Sequence, residues 1–258
     1  MMRALVLAVL LNCAAVGAWA QDAVDQLFDA SGMPALIAAF AEDSRLGARA
    51  LDDSFLRGQG GDIFADTIDR LHDRDRLTET IRAGVRARLD PSVAAQALSF
   101  VDSEMGQRIA RLEVEARQAM SSDEVEAAAL AAAQRAGEDI VAMIELRNLS
   151  ERNADISFNA QVAFWAGVAA TAPDFDVPDM DAQREGITTR SRDWVTGYYM
   201  LVASAFEEDD LATYTAFWDT EVGEAWDNAV SEALEEMYTE LSFATGQAVG
   251  RLLPQNEL

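Results

Sequence analysis

The sequence predicts an all-α protein, a helical bundle built from two related helical units. Residues of high helix propensity, above all alanine, leucine, glutamate and arginine, dominate the 258-residue chain, which contains only 5 prolines. Apolar residues recur every three or four positions, and no run alternates in the manner of a β-strand. A segment of the first half also matches a segment of the second half at an offset of 117 residues.

Residues 1–20 have the features of a secretory signal peptide. A positively charged start containing Arg3 precedes the apolar run Ala4–Ala18, and a small-x-small pattern then predicts cleavage after Ala20. The run is too short to span a bilayer as a permanent helix. We therefore expect a periplasmic or secreted protein with no stable membrane insertion after signal removal.

Lipidation at Cys13 is the alternative, but Asn12 stands before it where a small residue is needed. Signal removal also removes Cys13, the single cysteine, and the chain has no lysine. This composition excludes disulfides, thiol chemistry, thiolate metal sites and Schiff-base catalysis in the mature protein. We expect neither a cofactor nor a metal.

The chain is strongly acidic. Loss of Arg3 changes the formal net charge from −25 to −26 (−25 − 1). A field of that sign repels nucleic acid and anionic lipid, so we expect no nucleic-acid partner, whereas cationic partners are tolerated. High solubility is the simpler interpretation of this charge.

Helical periodicity begins soon after the predicted cleavage site. Apolar residues at helical spacing predict a helix over Ala35–Leu56, with Pro34 at its first turn. A second helix is predicted to place Ile63, Ile68 and Leu71 on one face.

A longer helical pattern runs from Ser122 to about Ala170. That length is unusual for one helix in a globular protein, so we expect interruptions near Gly137 and Asn153. The four aspartates of Pro173–Asp181 raise the possibility of a calcium loop. Their spacing departs from that of an EF-hand and the turn glycine is absent, so an acidic surface linker is the better interpretation.

The two halves differ in composition. Residues 21–150 carry a net charge of −10 and 5 aromatic residues, whereas residues 151–258 carry −16 and 14 aromatic residues. We divide the mature chain into a first helical unit, 21–140, and a second, 141–258, packed together as one domain. We expect the second unit to contain the larger hydrophobic core or a groove lined by aromatic side chains.

The match between the units centres on a short motif. Phe100–Gln107 aligns with Phe217–Glu224, with phenylalanine, aspartate, glutamate and glycine identical at four positions. Upstream, two apolar stripes with a spacing of four residues also align: Leu77, Ile81, Val85 and Leu89 with Trp194, Tyr198, Val202 and Phe206. Agreement in both motif and stripe predicts an internal duplication.

We call Phe100–Gln107 the first corner and Phe217–Glu224 the second corner. Each should end a short helix at the phenylalanine, cap the next helix with a hydroxyl, and place a glutamate in its first turn. The glycine permits close approach of a neighbouring helix, and the phenylalanine fills the corner. The structural motif comprises Phe100, Ser103, Glu104, Gly106, Phe217, Thr220, Glu221 and Gly223.

The corners resemble the signature of a bacterial secreted family known only as a domain of unknown function, in which phenylalanine, a serine or threonine, and Gly-Gln follow at fixed spacing. Gly106-Gln107 match that signature, and Gly223 matches with Glu224 in place of glutamine. The runs Asn148–Asn153 and Phe164-Trp165 are similar to a longer alphaproteobacterial variant. The resemblance implies a helical envelope protein and brings no activity with it.

Four tryptophans could line a ligand groove in the second unit: Trp165, Trp194, Trp218 and Trp226. Trp194 and Trp218 belong to the matched segments and Trp226 aligns with Ile109, which favours core packing. Sequence alone leaves both interpretations open.

Candidate catalytic groups are weak. His72 is the only histidine and lies between Asp69 and Asp75, which predicts a surface histidine held by carboxylates. Paired carboxylates such as Glu235-Glu236 are too abundant in so acidic a chain to indicate a hydrolase. We therefore predict that the protein is not an enzyme.

The sequence favours a non-catalytic envelope protein that acts through contact with another envelope protein or through self-association. The alternative is a periplasmic binder of a small apolar or cationic ligand, using an aromatic, acidic groove in the second unit. A binder requires an enclosed aromatic pocket with acids at its mouth, whereas a contact protein requires an exposed apolar strip.

Overall fold

The computed structural model describes residues 23–207 and 209–253, which form helices and turns without a strand. The predicted signal peptide, including Cys13 and its cleavage site, lies outside the described residues. The helices in chain order are α1 (23–30), α2 (Met33–Leu51), α3 (Gly61–Leu71), α4 (Arg74–Arg88), α5 (Pro91–Val101), α6 (Glu104–Ala119), α7 (Asp123–Ala133), α8 (Glu138–Leu146), α9 (Leu149–Thr171), α10 (Arg184–Ala203), α11 (Asp210–Trp218) and α12 (Glu221–Gly250). The all-α prediction is confirmed.

The first predicted helix is present, with Pro34 in its first turn, and a π-helical turn at Asp52–Leu56 completes its predicted length. The face predicted for α3 is partly wrong. Ile68 is buried, but Phe64 shares its face, and Ile63 is 75% exposed. Residues five apart on a helix point about 140° away from each other, whereas residues four apart share a face.

The long pattern after Ser122 divides into α7, α8 and α9. Gly137 stands at the start of α8, so the predicted break there is confirmed. Asn153 lies inside α9, and the second break falls instead at Asn148, whose φ of 52° places it in the left-handed region. Asparagine tolerates that conformation better than most residues, which explains why the chain breaks there.

His72 is not on the surface. Its side chain is 5% exposed at the end of α3, and its Nδ1 lies 3.0 Å from the carbonyl oxygen of Ile68. Burial lowers the pKa of the imidazole below its ordinary value. Asp69 instead pairs with Arg45 and Arg49, so the prediction of a carboxylate-held surface histidine is wrong.

Both corners form the predicted capped turns. The Gly106 amide donates to Ser103 Oγ at 3.1 Å, and the Gly223 amide donates to Thr220 Oγ1 at 3.0 Å. Each hydroxyl in turn donates to the carbonyl of its corner phenylalanine at 2.6 Å. Glu104 and Glu221 occupy the first turns of α6 and α12.

The corner glycines face backbone. A Cβ on Gly106 would lie 2.3 Å from the carbonyl oxygen of Phe100, and one on Gly223 would lie 2.3 Å from that of Phe217. The close neighbour is therefore the end of the preceding short helix. The two phenylalanine rings stack on each other, with centroids 4.0 Å apart and planes 5° apart.

The two halves pack reciprocally and share their cores. Helix α4 packs against α12, and α6 packs against α10. Buried side chains of α1, α2, α4 and α5 form one cluster with α12, and a second cluster joins α6, α7 and α8 to α10 and α11. A third cluster joins α3 and the end of α2 to the ends of α9 and α12.

Helix α12, about 45 Å long at 1.5 Å per residue, runs parallel to α9 and anchors the bundle. Their backbones meet at glycine, since a Cβ on Gly246 would lie 2.0 Å from the Phe164 carbonyl oxygen and one on Gly167 would lie 2.1 Å from that of Phe243. Within the described residues, no helix is sufficiently long and apolar to cross a membrane.

Candidate functional site

A cavity of about 300 Å³ lies where the two corners meet. Helices α2, α5, α6, α10, α11 and α12 contribute its walls, which are mainly aromatic and aliphatic. Phe100, Gly106 and Phe217 of the corners line it, whereas the capping residues Ser103 and Thr220 and the glutamates Glu104 and Glu221 lie outside the lining, as does Gly223. We call this space the central cavity.

Three of the four candidate tryptophans line the central cavity: Trp194, Trp218 and Trp226. Trp165 belongs to the third cluster, where it stacks on Phe175 with ring centroids 5.8 Å apart. Ile109 of the first unit also lines the cavity. The cavity therefore lies between the two units, not within the second alone.

The polar end of the cavity centres on Arg147, which joins α8 to α9. Its Nη2 donates to Asp227 Oδ1 at 2.7 Å, and its Nη1 donates to the hydroxyls of Tyr199 and Tyr214 at 3.0 and 2.9 Å. Burial alone would lower the pKa of Arg147, but the two tyrosines and Asp227 raise it above its ordinary value. The guanidinium is thus a permanent buried cation with a carboxylate partner.

Trp218 supports that cation from one side. The guanidinium carbon of Arg147 lies 3.7 Å above the Trp218 ring, well within the range of a cation–π interaction. The indole Nε1 of Trp218 is buried, and it makes no hydrogen bond within the described residues. Trp218 therefore contributes its π face here.

Glu113 of α6 completes the network from the first unit. Tyr214 donates its hydroxyl to Glu113 Oε1 at 2.5 Å, and Tyr198 donates to the Glu113 backbone carbonyl at 3.0 Å. Burial raises the pKa of Glu113, and the hydrogen bond from Tyr214 and the charge of Arg147 counteract that rise only in part. Burial likewise raises the pKa of Tyr199 to about 12.

The cavity combines apolar walls with a hydrogen-bonded network of charged and phenolic groups. Its lining contains no histidine, cysteine or lysine, and the charges of Arg147 and Asp227 neutralise each other. Within the described residues, no group of three or more histidine, cysteine or carboxylate side chains is placed to hold a metal ion. What remains is an apolar space with one hydrogen-bonding end.

Arg147, Asp227 and Glu113 were not predicted as site residues. The chain contains so many acidic residues that the sequence does not distinguish Asp227 and Glu113 from those on the surface, and no local sequence pattern predicts that an arginine is buried. One signal was present for Asp227, because it stands 117 residues after Ala110 and so replaces a small apolar residue within the matched segment.

No protein-family model, curated protein or solved structure matches this chain. The geometry of the central cavity therefore carries the functional assignment.

Proposed function

We propose that the protein binds a small, predominantly apolar molecule in the central cavity and is not an enzyme. The observation that carries this proposal is an aromatic space of about 300 Å³ with a hydrogen-bonded polar network around Arg147. Such volume, lining and placement between structural units are typical of ligand sites.

The apolar walls of the cavity favour occupancy by a ligand. The cavity opens to solvent, so water fills it when no ligand is bound. Water filling the cavity would find few hydrogen-bonding partners along the apolar walls. A ligand that covers Trp194 and Trp226 removes that penalty.

We further propose that two related units build the cavity through internal duplication, and that the protein works in the periplasm after export. Three observations support duplication. The two corners have matching caps, and the close contacts at Gly106 and Gly223 are equal. The packing is also reciprocal, with α4 on α12 and α6 on α10. The features of residues 1–20 and the resemblance to a helical envelope family support export.

The proposal is tested by filling the cavity. Val230 lines it, so Val230→Phe inserts bulk where the ligand would sit, whereas Val177→Phe places the same change on the exposed loop between α9 and α10. The probe is the uncharged dye N-phenylnaphthylamine, whose fluorescence rises in apolar surroundings. We expect saturable binding to the parent, unchanged binding to Val177→Phe, and a loss of about tenfold or more in Val230→Phe.

Circular dichroism and thermal melts must show that both variants stay folded. If the parent gives no saturable signal, or if a folded Val230→Phe binds as the parent does, the central cavity is not a ligand site.

Contact with an envelope protein, or self-association, is the second candidate. Val162 and Phe243 are both exposed and line one shallow groove between α9 and α12. Phe243→Ser would then dissociate a complex that light scattering detects for the parent. A parent that is monomeric and recovers no partner from periplasmic extract would count against this candidate.

A further inference from the structure

A polar cleft adjoins the central cavity. It has a volume of about 340 Å³ and lies where α6, α9, α10 and α12 meet. Three side chains line both spaces, namely Arg117, Trp194 and Tyr238. These three side chains stand at the boundary between the two spaces, so a ligand that occupies both must pass between them.

The charge of the cleft opposes that of the chain. Arg117 and Arg190 line it, and no acidic residue does, although the chain has 45 acidic and 20 basic residues. Arg117 pairs with Asp43 at 2.7 Å. Arg190 is exposed and forms no ion pair with another described residue. The cleft therefore presents a cation that no described carboxylate neutralises.

Hydrogen-bonding groups surround that cation. Asn153, Ser157 and Gln161 are four residues apart, so they share one face of α9 toward the cleft. Ser191 is only 6% exposed, lines the same cleft, and its hydroxyl makes no hydrogen bond within the described residues. Amides and hydroxyls of this kind can donate to an anion alongside the guanidinium.

We propose that the ligand is an anionic amphiphile, whose apolar chain occupies the central cavity and whose carboxylate or other anionic head group binds Arg190 in the cleft. This inference rests on the proposed function and specifies its ligand class. A cationic head group would meet Arg117 and Arg190 at the cleft. The two acids of the cavity, Glu113 and Asp227, already bind Tyr214 and Arg147.

The test compares head groups on one apolar chain. Decanoate, decanol and decyltrimethylammonium are titrated by calorimetry below their micelle concentrations into the full chain, Arg190→Gln and Arg192→Gln. Arg192 is exposed on the same helix but lies outside both spaces, so its variant controls for the change in net charge.

We expect the parent to bind decanoate most tightly and decyltrimethylammonium most weakly. Arg190→Gln should weaken decanoate binding about tenfold and leave decanol binding unchanged, because a charge-assisted hydrogen bond is lost. Arg192→Gln should behave as the parent. Since Arg190 is exposed and forms no ion pair with a described residue, its replacement should leave the thermal melt unchanged.

The outcomes separate the two proposals. If decanol binds as tightly as decanoate and Arg190→Gln has no effect, the cavity is a ligand site but the anionic head group is refuted. Tighter binding of decyltrimethylammonium refutes it also. If none of the three binds, the proposed function fails, and the head-group assignment fails with it.

Discussion

The two corners have the same backbone and different surroundings. Each caps its helix with a hydroxyl bonded to the glycine amide, and in each a Cβ added to the glycine would lie 2.3 Å from the phenylalanine carbonyl oxygen. Their phenylalanine rings stack face to face. The corner therefore forms the same capped turn in both halves of the chain.

The side chains that flank the corners differ at positions 117 residues apart. On the first side they are small and apolar, and on the second they are large or charged: Ala97 and Tyr214, Val101 and Trp218, Ala110 and Asp227. Tyr214, Trp218 and Asp227 are the groups that hold Arg147 at the end of the cavity. The same corner backbone thus carries small aliphatic side chains in one half and the partners of Arg147 in the other.

A second difference lies at the eighth position of the motif. Gln107 donates from its side-chain amide to the carbonyl oxygens of Ala30 and Val101, at 3.1 and 3.0 Å, and so ties the first corner to α1. Glu224 is exposed, and a carboxylate has no such donor to offer. The first corner is thus anchored to the N-terminal helix, whereas the second is anchored through Arg147.

The largest expected effect comes from breaking that anchor. Arg147→Met leaves Asp227 as a buried carboxylate whose remaining ion-pair partner, Arg152, lies 3.7 Å away, and we expect the free energy of unfolding to fall by about 3–5 kcal/mol. Adding Asp227→Ala, which installs the residue found at the matching position of the first corner, should restore part of the loss. Urea denaturation measures both variants.

Arg152→Met is the control for that series. Arg152 lies 3.7 Å from the same carboxylate but is more exposed, so its loss should cost about 1 kcal/mol or less. Equal losses for the two arginines would show that Arg147 has no special place in the second corner.

The corner glycines should respond equally. A methyl group at Gly106 or Gly223 meets a backbone carbonyl that cannot move aside, so each change to alanine should cost about 1–3 kcal/mol, and Gly223→Leu should cost more. Gly47→Ala is the control, because its site within α2 is open, and a gain of up to about 1 kcal/mol is expected there. A thermal melt of Gly223→Leu that equals that of the parent would contradict the close contact seen in the structure.

Much of this scaffold could be predicted from the sequence because its signals are local. A serine or threonine that follows a short helix favours an N-cap, because its hydroxyl can accept a first-turn amide hydrogen, which is why Ser103 and Thr220 were found. The helical spacing of apolar residues likewise predicted the buried face of α4, and Leu77, Ile81 and Val85 are all buried.

The site could not be predicted in the same way because its residues are distant in the chain. Glu113, Arg147 and Asp227 come from three different helical regions, and only tertiary packing brings them to one cavity. The spacing of the tryptophans along the sequence also did not show whether they pack in the core or line a groove. Trp226 is buried against the first cluster and lines the cavity at the same time.

The smallest expected effect tests the caps themselves. Ser103→Ala and Thr220→Ala each remove one hydrogen bond to a helix amide and should each cost about 1 kcal/mol. Ser122→Ala is the matched control, because Ser122 stands at the start of α7 without a side-chain cap, so little change is expected.

The two cap variants should differ in one respect, which sharpens the comparison between the corners. Thr220 follows Trp218 by two residues, and Trp218 lines the cavity, so loosening the second cap should shift tryptophan fluorescence and weaken dye binding. Ser103 caps the amide of Gly106, which lines the cavity together with Phe100 and Val101, so loosening the first cap should also weaken dye binding. Its shift in tryptophan fluorescence should be smaller, because the position that matches Trp218 is Val101. Equal fluorescence shifts in the two variants would contradict this difference between the corners.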